Sequence, residues 1–155
     1  NQKNTQVPEL HRFMNDFTAK DTLAQDTDTL LYYQRSACFG FCPTFHYTVY
    51  QNGLIRYEGI QHTEPLGNRF GLVSDDWWKE VQERLKICKF FELEPVYPIE
   101  KHLYIPDLPN TIITVKEYNQ RKQVIDNHHA PKELKDFEFF LEDHFKKVKF
   151  RESWE

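Results

Sequence analysis

Between Thr44 and Gly59 the chain permits one local structure. Phe45, Tyr47 and Val49 alternate with His46, Thr48 and Tyr50, so each set occupies one face of an extended segment. A period of two over seven residues is the pattern of a half-buried strand. Asn52-Gly53 follows, and both residues tolerate positive φ, which suits a two-residue hairpin turn. Leu54 to Gly59 is then the return strand. An antiparallel hairpin with one apolar face needs other elements to cover that face.

The flanks supply candidates. Thr29 to Arg35 reads as a strand, with Leu30 and Tyr32 on one face and Leu31 and Tyr33 on the other. Leu66 to Val73 reads as a further strand, loosened by Gly67 and Gly71. Ser74 then serves as an N-cap, and Asp75 and Asp76 suit the positive end of the helix dipole. Trp77, Val81, Leu85 and Cys88 recur at helical spacing over residues 75 to 89. Residues 92 to 110 hold Pro95, Pro98, Pro106 and Pro109, so an irregular crossing segment is expected there. Thr111 to Tyr118 and Arg121 to Asn127 form a second hairpin, expected to turn at Asn119-Gln120. Pro131 opens a last helix, whose stripe is Leu134, Phe137, Leu141, Phe145 and Val148.

The expected fold is therefore α+β. It has a mainly antiparallel sheet of about five or six strands with two principal helices against it. Leu10, Phe13, Met14 and Phe17 share a helical face, which predicts a short N-terminal helix over residues 9 to 19. Residues 1 to 27 form an N-terminal segment and linker, and 28 to 155 a single domain. The chain has 155 residues, enough to bury a core without many staples. Aromatics make up 15% of it, so the core should be aromatic-rich.

Several function classes are disfavoured. The formal net charge is −4, and phosphate binding needs a basic face, so no nucleic-acid partner is expected. The basic cluster Lys146, Lys147, Lys149 and Arg151 reads as a solvated helix end beside Glu142, Asp143 and Glu152. Five glycines, none clustered, give no phosphate loop. No run of eighteen apolar residues is present. The polar opening Asn1 to Gln6, without an initiator methionine, is compatible with a removed export or lipoprotein signal and equally with a trimmed chain. Such a signal would allow a membrane tether.

Two of the three cysteines fall in one loop, Arg35-Ser36-Ala37-Cys38-Phe39-Gly40-Phe41-Cys42-Pro43. Fully extended, four residue steps would hold Cys38 and Cys42 roughly 13 Å apart. A bridged pair needs Cα atoms within ~7 Å, and Gly40 gives the loop freedom to fold back. Three readings compete. A structural disulfide would contribute about 2 kcal/mol through chain entropy. A thiol-redox site would draw on Arg35 or His46 as the cation, but strands flank the loop and Cys-x-x-Cys spacing is absent. A Cu(I) or Zn site would use Cys38 and Cys42 with His46, His128 or His129. That motif resembles the copper site of Sco-type chaperones, although theirs opens a helix.

The loop also carries a wider resemblance. The chain resembles a bacterial family of domains of unknown function with the signature Arg-Ser-x-Cys-Phe-Gly-x-Cys-Pro, an aromatic strand and an Asn-Gly or Asp-Gly turn. Arg35 to Pro43, Tyr47, Gly53, Tyr57 and Gly59 carry it. So do Asp107-Leu108-Pro109, Pro131 to Leu134, and Trp154. The likeness covers about residues 28 to 154. His128, His129 and Ala130 replace a looser loop. The resemblance implies no activity. It implies an exported or lipoprotein-like setting, periplasmic or anchored in the cell envelope, which favours the oxidised pair.

The remaining candidates have structural readings. Cys88 reads as a small buried hydrophobe. His128 and His129 read as turn residues, and Asp107 as an acceptor for backbone N–H groups. His62, His102 and His144 have no partner at ligand spacing. Trp77 and Trp78 cannot both face one core. The expectation is a monomeric, non-enzymatic envelope domain without a cofactor. Arg35, Phe39, Phe41 and His46 would meet a protein or small ligand at the pinned loop. The thiol-redox or metal-binding use of Cys38 and Cys42 is the alternative.

Overall fold

The computed structural model describes residues 29–152. The helix expected over residues 9 to 19 lies outside that range. The described chain is α+β and builds one sheet flanked by two helices. Its strands are β1 (Thr29–Arg35), β2 (Thr44–Tyr50), β3 (Leu54–Gln61), β4 (Gly67–Leu72), β5 (Val96–Tyr97), β6 (Thr111–Glu117) and β7 (Gln120–Asp126). Helix α1 spans Asp75–Cys88 and α2 spans Lys132–Phe145. Short 3-10 turns cover Phe90–Glu92 and Lys101–Leu103.

The spatial order is β4-β3-β2-β1-β6-β7-β5. Five of the six pairings are antiparallel, and β5 pairs parallel with β7. The sheet is thus mixed and seven-stranded, against the expected five or six mainly antiparallel strands. The addition is β5, two residues between Pro95 and Pro98. Its pairing rests on Ile125 N–H to Pro95 O at 2.9 Å and Asn127 N–H to Tyr97 O at 2.9 Å. Proline lacks a donor but keeps its carbonyl, so Pro95 can still accept at a sheet edge.

The central hairpin forms as its pattern requires. Gly53 takes φ 91°, and its N–H donates to Tyr50 O at 3.0 Å. The Asn52 side chain accepts from Leu54 N–H at 3.1 Å. The second hairpin turns one residue earlier than expected. Glu117 pairs with Gln120, so the turn residues are Tyr118 and Asn119. Tyr118 holds φ 56°, a cost for a residue with a Cβ that the seven-pair ladder offsets.

The core lies between one sheet face and the helices. Leu31, Tyr33, Val49, Ile55, Ile113, Val115 and Val124 face Trp77, Val81, Leu85, Leu134, Phe137, Leu141 and Phe145. Each such buried side chain contributes about 1.5–3 kcal/mol of transfer free energy. Ser74 Oγ accepts from Trp77 N–H at 3.1 Å and caps α1. Trp77 is buried, whereas Trp78 is half-buried against the same core. Cys88 is buried, which pushes its thiol up to about 12.

A reciprocal clasp joins the helices. Trp77 Nε1–H donates to His144 O at 3.0 Å, and His144 Nε2 lies 2.9 Å from Trp77 O. The two rings stack with centroids 4.3 Å apart. For Nε2 to donate, the imidazole must carry its proton there. Burial lowers the His144 pKa, which keeps the ring neutral at ordinary pH.

Candidate functional site

The loop between β1 and β2 stands at one end of the sheet. Cys38 and Cys42 are joined as a disulfide with Cα atoms 5.7 Å apart, inside the range a bridge requires. Gly40 sits at φ 150°, and its N–H donates to Cys38 O at 3.0 Å. A side chain at Gly40 would find space, but not a comfortable backbone. The loop is tied down from a second direction. Ser36 N–H donates to Asn110 O at 3.0 Å, and Phe39 N–H to Asp107 O at 3.1 Å. Asn110 N–H in turn donates to Ser36 Oγ at 2.8 Å. The proline-rich crossing segment therefore buttresses the cysteine loop.

This anchoring presents two aromatic rings to solvent. Phe39 is 89% exposed and Phe41 is 86% exposed. Phe41 meets the His62 ring edge-to-face, with centroids 5.1 Å apart. Ile60 and Leu66 are also exposed, at the end of β3 and just before β4. Register places that end of the β3–β4 pair beside Cys42, because Thr44 pairs with Gln61 and Gly59 with Gly67. The result is an apolar tip on a pinned frame.

Arg35 and His46 point elsewhere. Arg35 Nη1 donates to Thr111 Oγ1 across the β1–β6 pair, on the helix side of the sheet. His46 lies on the helix-free face, where its Nε2 is 2.9 Å from Glu58 Oε1 and its ring is 5.4 Å from Tyr32. Burial lowers the His46 pKa, with Glu58 opposing that shift. The tip thus keeps Phe39 and Phe41, and strand alternation turns His46 away from Phe45.

The helix-free face has its own concavity. A cleft of about 340 Å³ is lined by Tyr32, His46, Thr48, Arg56, Lys116 and Arg121, among others. Arg56 bridges Asn68 at 2.9 Å and Glu58 at 3.1 Å. Apart from His46, these residues were not singled out in the sequence. The available signal was alternation, since Arg56 and Glu58 share a face of β3 and pair with Thr48 and His46.

The metal candidates are dispersed into separate contacts. Each of Cys38 and Cys42 bonds the other. His128 Nε2 lies 2.6 Å from Leu103 O, and its ring meets His129 at 4.4 Å. Among the described residues, no group of three or more His, Cys, Asp or Glu is placed to hold a metal ion.

A buried acidic pair lies two strands from Arg35, at the same end of the sheet as the cysteine loop. Asp126 and Glu138 are each 4% exposed. Lys135 Nζ bridges Asp126 Oδ2 and Glu138 Oε1, each at 3.1 Å. Burial pushes the Glu138 carboxyl up to about 9, reinforced by its hydrogen bond with Asp126. Glu138 Oε2 has no hydrogen-bond partner among the described residues.

The profile of a family described as "Domain of unknown function (DUF6438)" matches residues 29–145. The match begins at β1 and ends with α2, and so covers the whole sheet and both helices. No curated protein matches the chain.

Proposed function

We propose that this chain, which belongs to the DUF6438 family of domains of unknown function, is a non-enzymatic interaction domain that docks a protein partner through the Phe39–Phe41 tip. The observation that carries this reading is two almost fully exposed phenylalanines held inside a five-residue disulfide ring. A phenylalanine side chain presents roughly 150 Å² or more, so the pair offers roughly 300 Å² of apolar surface. At about 25 cal/mol/Å² this gives roughly 7 kcal/mol of gross driving force, before association costs. That is sufficient for an anchor. Ile60 and Leu66 extend the patch. Exposed apolar side chains gathered at one end of the sheet support an interaction role, since the largest apolar patch of a protein is often functional.

The same reading places the protein in the cell envelope, periplasmic or lipoprotein-anchored. A disulfide persists in an oxidising compartment and is rare in a reducing one. The reduced thiols Cys38 and Cys42 would be the redox or metal alternative, which requires the bridge to be open.

The test is a photo-crosslinking amino acid placed at Phe39, at Phe41 and, as a control, at Phe139, which is 66% exposed on α2. In the cells that make the protein, positions 39 and 41 should give a discrete protein adduct that Phe139 does not. The adduct should weaken in Cys38→Ser. Equal labelling at all three positions would sink the docking role. Alkylation of both cysteines in unreduced envelope material would sink the staple.

A further inference from the structure

β5 ends the sheet and pairs only with β7 among the described residues. Pro95 O and Tyr97 O both accept β7 amides, from Ile125 and Asn127. Alternate residues of a strand direct their backbone groups to the same neighbour. The N–H and C=O of Val96, between them, therefore point outward from the sheet edge. Neither has a backbone partner among the described residues. Such an edge is a template for a further strand.

A groove of about 380 Å³ lies against the same edge. Pro95, Val96, Pro98, Ile99 and Tyr104 line it, together with the exposed Glu94 and Lys101. Its Tyr104 wall is held in place. Tyr104 Oη accepts from Asn110 Nδ2 at 2.7 Å, and Asn110 Oδ1 accepts from Asn127 Nδ2 at 2.8 Å. The Asn127 side chain also bonds both backbone groups of Ile105, each at 2.9 Å. Asn127 N–H is the amide that pairs with Tyr97 O, so one residue fixes the edge strand and the wall together. The groove is thus preformed, and filling it loses little ordering entropy.

We propose that β5 and this groove form a second binding site, which takes a short extended peptide carrying a large apolar side chain. Its central residue exchanges main-chain hydrogen bonds with Val96 and places its side chain against Pro98, Ile99 and Tyr104. Main-chain bonds supply the hold and the groove supplies the selection. The neighbouring outward positions offer no donor, because Glu94 N–H already donates to Tyr97 Oη at 3.0 Å and Pro98 has no N–H. The occupant is therefore short. β5 lies three strands from β1, about 14 Å away, so the site does not depend on docking at the Phe39–Phe41 tip.

The test titrates the full chain with capped peptides Ac-Thr-Val-X-Val-Thr-NH2, where X is leucine, phenylalanine or tryptophan. At least one should shift the Val96 and Ile99 amide signals and slow Val96 amide exchange by at least about tenfold. Methylating the main-chain nitrogen of X should weaken binding by about tenfold, since one bond to Val96 is lost. Ile99→Asp should weaken it as much and leave urea unfolding unchanged, because Ile99 is 61% exposed. Absence of a Val96 shift with all three peptides at about 1 mM would overturn the proposal. Equal binding of the methylated peptide would do the same, because the strand pairing would be absent. Shifts confined to Phe39 and Phe41 would also overturn it and assign the peptides to the tip.

Discussion

Replacing Glu138 with Gln should change how stability depends on pH, and the sign follows from the structure. Glu138 sits in the buried stripe of α2. It faces Asp126 on β7 and Lys135 on its own helix, and its charge would act on Tyr33 of β1 and Cys88 of α1. Its carboxyl is raised from 4.5 to about 9, first by burial and then by the hydrogen bond with Asp126. A raised folded-state pKa means the native state holds a proton that the unfolded chain releases. The associated stability is fully present below about 4.5 and is lost as pH rises through about 9. Between those limits the slope is one proton, about −1.4 kcal/mol per pH unit. From pH 6 to pH 8 the wild-type protein should lose about 3 kcal/mol through this group. Glu138→Gln keeps the shape and removes the titrating group, so that loss should vanish. Urea unfolding of both proteins at pH 6, 7 and 8 measures it. His46 and His144 titrate in both proteins and cancel in the difference. Parallel pH profiles for the two would show that Glu138 is ionised in the fold, and the reasoning would fail.

Two further predictions concern packing. A Cβ at Gly59 would lie 2.0 Å from Pro65 O and 2.6 Å from the Tyr57 hydroxyl, so Gly59→Ala should cost about 3 kcal/mol or more in urea unfolding. Gly67→Ala meets open space but sits at φ 82°, so it should cost only about 1 kcal/mol; equal losses would refute the steric account. Trp77→Phe keeps a ring against His144 but removes the Nε1–H that donates to His144 O across the helix pair. It should cost about 1–3 kcal/mol in thermal or urea unfolding, and a loss near zero would show that the clasp is carried by stacking alone.

The parts of the fold that were legible are those with a long, one-sided pattern. β2 and β3 alternate around Asn52-Gly53, and α1 carries Ser74 and its buried stripe at regular spacing. β5 was not legible, because two residues between prolines have no period. Its pairing with β7 is a long-range contact that no local propensity encodes. Tyr118 moved the second turn because ladder pairing outweighs the intrinsic preference for Asn in the left-handed position. Glu138 could have been found. It lies four residues after Leu134 and three before Leu141, squarely on the apolar stripe, where a carboxylate must be neutral or paired. At the tip, Phe39 and Phe41 were visible as members of a pinned loop. Ile60 and Leu66 join them only through the β2–β3 and β3–β4 registers.

Local energetics give no reason for Phe39 and Phe41 to be phenylalanine. The disulfide, Gly40 and the bonds to Asp107 and Asn110 hold the loop through backbone atoms, sulfur and the Ser36 hydroxyl, with no part played by the rings of Phe39 and Phe41. Small polar residues at positions 39 and 41 would leave all of those ties intact. Phe39 is 89% and Phe41 86% exposed on that frame. Each ring therefore stays wetted, with no return to fold stability. That cost is offset only when another surface covers the rings, and the anchoring reduces the entropy lost at that step. The rigidity of the loop and the exposure of its two aromatics thus share one physical explanation. Both are what the proposed docking role requires of the loop.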